Sequence, residues 1–235
     1  MKIKIIFDKE KIDRRYQAGW GISYLLQDNV LFDTGEKGQY IIDNMKMLNI
    51  EIEKIKKVVI SHNHWDHLGG LWSLLEIKKN ILVYACSDFI REFKEKIYSY
   101  SFKEVDIFQE IEKDIYTSGC LKTVYRDNML LEQFLIVKTN KGISVVCGCL
   151  HCGLLKTIDK VKEFFPQEKI YSVFGGFHLM DKDNRFIKYV VDQMKKIGIK
   201  KVGPSHCTGY EAKTVFKDVY KEDYFDIKIG MEFEI

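Results

Sequence analysis

Proline is almost missing from this chain: of 235 residues only Pro166 and Pro204 are proline. No Ser- or Pro-rich linker, low-complexity stretch or internal repeat interrupts it, so one domain over residues 1–235 is expected. No run approaches the ~18 apolar residues of a membrane span, and no membrane partner is expected. No secretory leader is expected either, since Met1 to Asp8 alternates charged and apolar residues and reads as a first strand. Nor is there charge of one sign. Lys and Arg number 37 against 34 Asp and Glu, and runs such as Arg91-Glu92-Phe93-Lys94-Glu95-Lys96 mix the signs. Such a run is a solvated helix face, and a nucleic-acid partner is not expected. Without export the location is expected to be cytoplasmic, with all six cysteines as reduced thiols. A chain of this length has core enough to hold without disulfides.

What is present alternates between strand and helix signals. Lys2 to Phe7, Gly21 to Leu26 and Val30 to Phe32 read as strands, followed by a helix near Tyr40 to Leu48 and the apolar strand Val58-Val59-Ile60. Leu68, Leu71, Trp72 and Leu75 follow helical spacing, Ile81 to Ala85 is a strand and Asp88 to Ile97 a helix. The middle, Ile107 to Cys147, is richer in strands. Beyond it a helix is marked by Leu154, Leu155, Ile158, Val161 and Phe165, a strand by Ile170 to Phe174, and a second helix by Phe186, Val190, Met194 and Ile197. A short strand at Lys201-Val202 and a helix from Tyr210 close the pattern. Two strand-rich blocks, each followed by strand–helix units, suggest two packed sheets with helices outside. Periodicity alone does not separate that from a doubly wound sheet.

Histidine is scarce, which makes its placement informative. Three of the six lie in Ser61-His62-Asn63-His64-Trp65-Asp66-His67, directly after an apolar strand. The spacing suits two metal ions, His62 and His64 on one, Asp66 and His67 on the other. Imidazole and carboxylate suit zinc, iron or manganese better than calcium. The His-Glu-x-x-His pattern of helical zinc proteases is absent. His151, His178 and His206 each follow an apolar strand and sit beside glycine or cysteine, where α/β folds build their sites. Cys147, Cys149, Cys152 and Cys207 could instead hold a metal or an iron–sulfur cluster. Strand parity, however, places Cys147 and Cys149 behind a histidine already committed to the site, and small buried thiols are the commoner outcome. Cys86 and Cys120 read as core residues.

His-x-His-x-Asp-His after a strand, with later single histidines, resembles the metallo-β-lactamase superfamily. The resemblance implies an α/β four-layer αββα sandwich with two divalent metals at one edge, zinc first, manganese or iron next. His151 would be the third ligand of the first metal and His206 the last ligand of the second. Val30-Leu31-Phe32-Asp33-Thr34-Gly35 is similar to the family's early strand–Asp–Thr–Gly element, which makes Asp33 a buried carboxylate behind the ligands. Gly148-Cys149-Leu150-His151, Gly175-Gly176-Phe177-His178-Leu179 and His206-Cys207-Thr208-Gly209 narrow the resemblance to the 7,8-dihydropterin-6-yl-methyl-4-(β-D-ribofuranosyl)aminobenzene 5′-phosphate synthase group.

The superfamily usually bridges its metals with a carboxylate supplied after the third histidine. Here that strand end carries Gly-Gly-Phe-His, and Asp181 comes three residues later. Either the bridge is missing or His178 takes over that region. The resemblance implies chemistry on a phosphorylated or pterin-like small molecule, by hydrolysis or by transfer with loss of diphosphate, with Asp66 and His178 as candidate catalytic residues. A thioester or phosphodiester substrate is the alternative. A redox di-iron protein is disfavoured because such relatives carry Glu at the position of His64; a metal-binding module without catalysis stays open.

Overall fold

The computed structural model describes residues 1–235. The first sheet is built from β1 (Lys2–Phe7), β2 (Ser23–Leu26), β3 (Val30–Phe32), β4 (Lys57–Val59), β5 (Leu82–Ala85) and β6 (Ser101–Glu104). The second takes β7 (Ile107–Glu112) and β8 (Ile115–Gly119); a separate hairpin, β9 (Leu121–Tyr125) and β10 (Asn128–Glu132), interrupts it. It resumes with β11 (Leu135–Thr139), β12 (Gly142–Cys147), β13 (Ile170–Gly176) and β14 (Lys201–Ser205), and β15 (Glu232–Glu234) returns to pair with β1. In space the orders are β15-β1-β2-β3-β4-β5-β6 and β14-β13-β12-β11-β8-β7. In each sheet one part is antiparallel and the rest parallel, β3 to β6 in the first and β12 to β14 in the second.

Burial explains why β2, β3 and β12 lack alternation: every residue in them is buried. Three apolar cores separate four layers. Ile3, Tyr24, Phe32 and Val59 meet Leu135, Val137, Val146 and Phe174 between the sheets. The outer face of the first sheet packs under α1 (Gly38–Met47) and, after the short α2 (Trp65–Leu68), under α3 (Leu71–Ile77), through Ile41, Met45, Leu71 and Leu74. Past α4 (Ser87–Glu92) and α5 (Lys94–Ile97), the outer face of the second sheet packs under α6 (Leu154–Phe164), α7 (Asn184–Ile197) and α8 (Tyr210–Tyr220). The fold is thus the αββα sandwich rather than one doubly wound sheet.

Local chemistry sets the helix ends. The Asp183 side chain accepts from Phe186 N–H at 2.9 Å, capping α7, and Gly198 ends it in the left-handed region at φ 88°. The helix expected over Asp88 to Ile97 is two pieces, with Phe93 between them turned inward against Trp72 and Phe89. One expectation is overturned. Cys86 and Cys120 are joined in a disulfide, so four cysteines are free and not six. The two residues follow β5 and β8, strands of different sheets whose ends meet at the sandwich edge. Their 34-residue separation hid that meeting in the sequence.

Candidate metal centre

The loop after β4 is held open by a buried carboxylate. Asp33, itself left-handed at φ 56°, accepts from Ser61 N–H (2.7 Å), Ser61 Oγ–H (2.7 Å) and His67 Nδ1–H (2.7 Å). Because the Ser61 hydroxyl proton goes to Asp33, its oxygen accepts from His62 Nδ1 at 2.9 Å. Each contact puts the ring proton on Nδ1 and turns Nε2 of His62 and of His67 toward the same space. Thr34 N–H (2.7 Å) and Oγ1–H (3.0 Å) both donate to the His67 carbonyl, pinning the first turn of α2 to the end of β3.

Two groups of donors result. His62, His64 and His151 each place a ring nitrogen within 4.8 Å of the others, with His62 Nε2 and His64 Nδ1 2.9 Å apart. Asp66, His67 and His206 form the second, with Asp66 Oδ2 3.4 Å from His67 Nε2 and 3.2 Å from His206 Nε2. Gly21 N–H donates to His206 Nδ1 at 3.2 Å, which leaves the ring proton on Nε2, where a bound cation would displace it. Gly21 sits at φ 110° against the Asp66 carbonyl, and a side chain there would collide with that oxygen.

The electrostatics are those of crowded imidazoles. Burial pushes His62 well below its usual value, as do its neighbours His67, His151 and His64, and burial lowers His151 to about 2. Burial would lower His67 too, yet Asp33 and Asp66 outweigh it and, in the metal-free protein, raise it well above its usual value. Burial likewise opposes ionisation of Asp66, but His67 and His206 keep it well below the ordinary carboxylate range.

Both ring nitrogens of His151, Nδ1 of His178 and Nε2 of His206 are buried without a hydrogen-bond partner. Orphaned buried nitrogens are costly unless something else ligates them. Imidazole, carboxylate and thiol together are a donor set that a transition-metal ion satisfies. The residues fit such ions.

The C-terminal ends of the parallel strands β12, β13 and β14 deliver His151, His178 and His206 side by side. The family model described as the metallo-beta-lactamase superfamily matches residues 22–153, more than half of the chain, from before Asp33 through His151. The chain belongs to the metallo-β-lactamase superfamily. A curated relative, the 7,8-dihydropterin-6-methyl-4-(β-D-ribofuranosyl)-aminobenzene-5′-phosphate synthase of Methanocaldococcus jannaschii, is 31% identical, covering 89% of this chain and 88% of that one. Among solved structures, Tm1679, a metal-dependent hydrolase of the β-lactamase superfamily, aligns at a TM-score of 0.82 and 27% identity over 100% of this chain and 99% of that one. The metallo-β-lactamase fold protein YhfI of Bacillus subtilis aligns at 0.70 and 15% identity over 100% and 98%, a likeness of fold alone.

Against the superfamily pattern, the structure shows why no side chain can sit at Gly176. A Cβ there would collide with the Gly148 carbonyl and lie 2.7 Å from Cys207 Sγ. Asp181 lines the cleft but belongs to neither donor group. His178 comes within 4.8 Å of donors on His151 and Cys149, its ring centroid 4.2 Å from that of His151. Contact with Cys207 raises its pKa against the effect of burial.

The strand-parity expectation for the thiols fails at Cys149. Regular strand ends at Cys147, and Leu150 at φ 55° rotates the chain, so Cys149 Sγ stands among the imidazoles, 3.3 Å from His67 Nε2. Cys147 remains in the core, and Cys152 contacts Thr157 at 3.4 Å.

Sequence reading also missed three residues. Glu132 is fully buried with Oε1 4.0 Å from His62 Nδ1, and burial raises it to about 7 although Cys152 N–H donates to it. Tyr125 and Arg126 stand at the hairpin tip, the Tyr125 ring 4.5 Å from His151 and 5.1 Å from His64. An aromatic–arginine pair at a two-residue turn was the available signal. With Trp20 and Trp65 they line a cavity of about 460 Å³ over the donors.

Proposed function

We propose that this chain is a binuclear metal-dependent enzyme acting on a phosphorylated or pterin-like small molecule, by hydrolysis or by transfer with loss of diphosphate. The observation that carries the reading is the meeting of two three-residue donor groups at the floor of one aromatic-walled cavity. His62, His64 and His151 would hold one divalent ion, and Asp66, His67 and His206 the other, zinc first, manganese or iron next. When bound, such a pair supplies Lewis-acid activation of water and neutralises a developing or departing phosphate charge.

The chain's own groups supply the rest. Asp33 and Ser61 fix the tautomers of His67 and His62. The rings of Trp20, Trp65 and Tyr125 offer faces to a flat heterocycle, and Arg126 offers a guanidinium to an anion. His178 lines the cavity wall, where its imidazole can bind a phosphate oxygen or protonate a leaving oxygen. The similarity to the synthase favours the pterin and phosphate chemistry over a thioester.

Turnover assays with metal-loaded protein test this. Phosphomonoester, phosphodiester, diphosphate and thioester substrates are compared, with chelator-stripped protein alongside. Metal-dependent cleavage of phosphate or diphosphate compounds is expected. Thioester turnover alone, or none with any metal, rejects the reading.

A further inference from the structure

We propose that Cys149 supplies the ligand shared by both metal ions, a bridging thiolate where the superfamily ordinarily places a carboxylate. The inference rests on the binuclear reading above. Cys149 Sγ lies within 4.8 Å of ring nitrogens on His62 and His151 from the first donor group, and on His67 and His206 from the second. Of the donor side chains outside the two groups, His178 is grouped only with a member of the first and Cys207 only with a member of the second. The strand end that resembles the one supplying the usual carboxylate has no room for it at Gly176, which admits no side chain and has the Cys207 sulfur in the adjoining space.

Charge points the same way. Two divalent ions bring four positive charges, whereas five neutral imidazoles and Asp66 return a single negative one. One thiolate at the centre reduces the excess where both ions feel it. On binding, the Cys149 S–H bond breaks, its proton leaves to solvent, and Sγ bonds to metal. Cys207 is the support. Its sulfur accepts from His178 N–H at 3.3 Å and lies 3.6 Å from the Cys149 carbonyl, which fixes the segment carrying Cys149. Thiolate coordination also favours zinc over manganese at this site.

Cobalt(II) loading of the stripped protein tests the inference without any substrate. Elemental analysis counts the ions, and the near-ultraviolet thiolate-to-cobalt charge-transfer band reports sulfur coordination. Wild-type protein is expected to hold two ions and show the band. Cys149→Ser should lose it, while Cys147→Ser and Cys207→Ser keep it. Two ions without a band, or a band that survives in Cys149→Ser, overturns the thiolate bridge and leaves the binuclear reading standing. Fewer than two ions in wild-type protein overturns the binuclear reading and the bridge together. Should Cys149→Ser not fold, zinc-edge absorption on wild-type and Cys207→Ser proteins carries the test. A sulfur scatterer at ~2.3 Å in both supports Cys149. Its absence from wild type, or its loss in Cys207→Ser, rejects the assignment.

Discussion

The carboxylate of Asp33 stands 2.7 Å from Nδ1 of His67, and both groups are buried. A neutral amide in place of that carboxylate would hold the ring less firmly and make it a poorer donor. Asp33→Asn is therefore expected to weaken binding at the His67 ion by about 10–100-fold. Binding at the His62 ion should change less, because His62 reaches Asp33 only through Ser61. Competition with a chromogenic chelator measures both, and equal affinities in variant and wild type would count against the arrangement.

Glu132 gives a pH dependence in metal-free protein. Burial raises its folded-state pKa to about 7 from the ordinary carboxyl value of 4.5. A carboxyl raised in this way favours the folded state only while protonated. Stability should therefore fall as the pH climbs from about 4.5 to 7, and level off above that, the loss being on the order of 3 kcal/mol at most. Glu132→Gln removes the effect while keeping the shape. Urea midpoints are expected to favour the variant at pH 8 and to converge with wild type near pH 5. A variant no more stable than wild type at pH 8 rejects the assignment.

The disulfide can be counted. Unfolded, non-reduced protein should titrate four thiols, with six appearing after reduction. Cys86→Ser should cost about 4 kcal/mol by the loop-entropy relation for a 34-residue separation, read from denaturant midpoints. Six thiols before reduction would restore the reduced-cysteine expectation.

His178→Ala is expected to keep both metal equivalents while turnover falls by about 10²–10⁴. The rival is that the imidazole, close to both Cys149 and His151, is itself a ligand. Elemental analysis separates the two, since loss of one equivalent would assign His178 to a metal.

Arg126→Ala addresses recognition. A guanidinium paired with a phosphate contributes ~1.5–3 kcal/mol, so KM for an anionic substrate should rise about 10–100-fold. Metal content should be unchanged. An unaltered KM would remove the hairpin tip from substrate binding.

Two strand-rich blocks and the places where histidines gather were legible in short-range pattern, whereas the choice of a four-layer sandwich over a doubly wound sheet came from the family resemblance. Apolar strands ending in Gly, Cys and His announce the sheet edge, and the run from His62 to His67 sits within one loop and one turn of α2. What could not be read depends on contacts across the sandwich. Glu132 gains its meaning from His62, seventy positions earlier, and Cys86 from Cys120. Cys149 was misplaced because parity holds only while the backbone stays extended, and a single left-handed residue, Leu150, ends that. Tyr125 reaches His151 only because the hairpin folds back over the cavity.

That hairpin turns on Arg126 and Asp127, both left-handed and exposed. A break between them leaves His62, His64, Asp66, His67 and the cystine on one fragment, and Cys149, His151, His178 and His206 on the other. Neither piece then owns a complete donor group. If the two ions bind as proposed, each would be chelated only by reunited fragments, and a chain nicked at this tip would be a complementation pair whose reassembly metal favours.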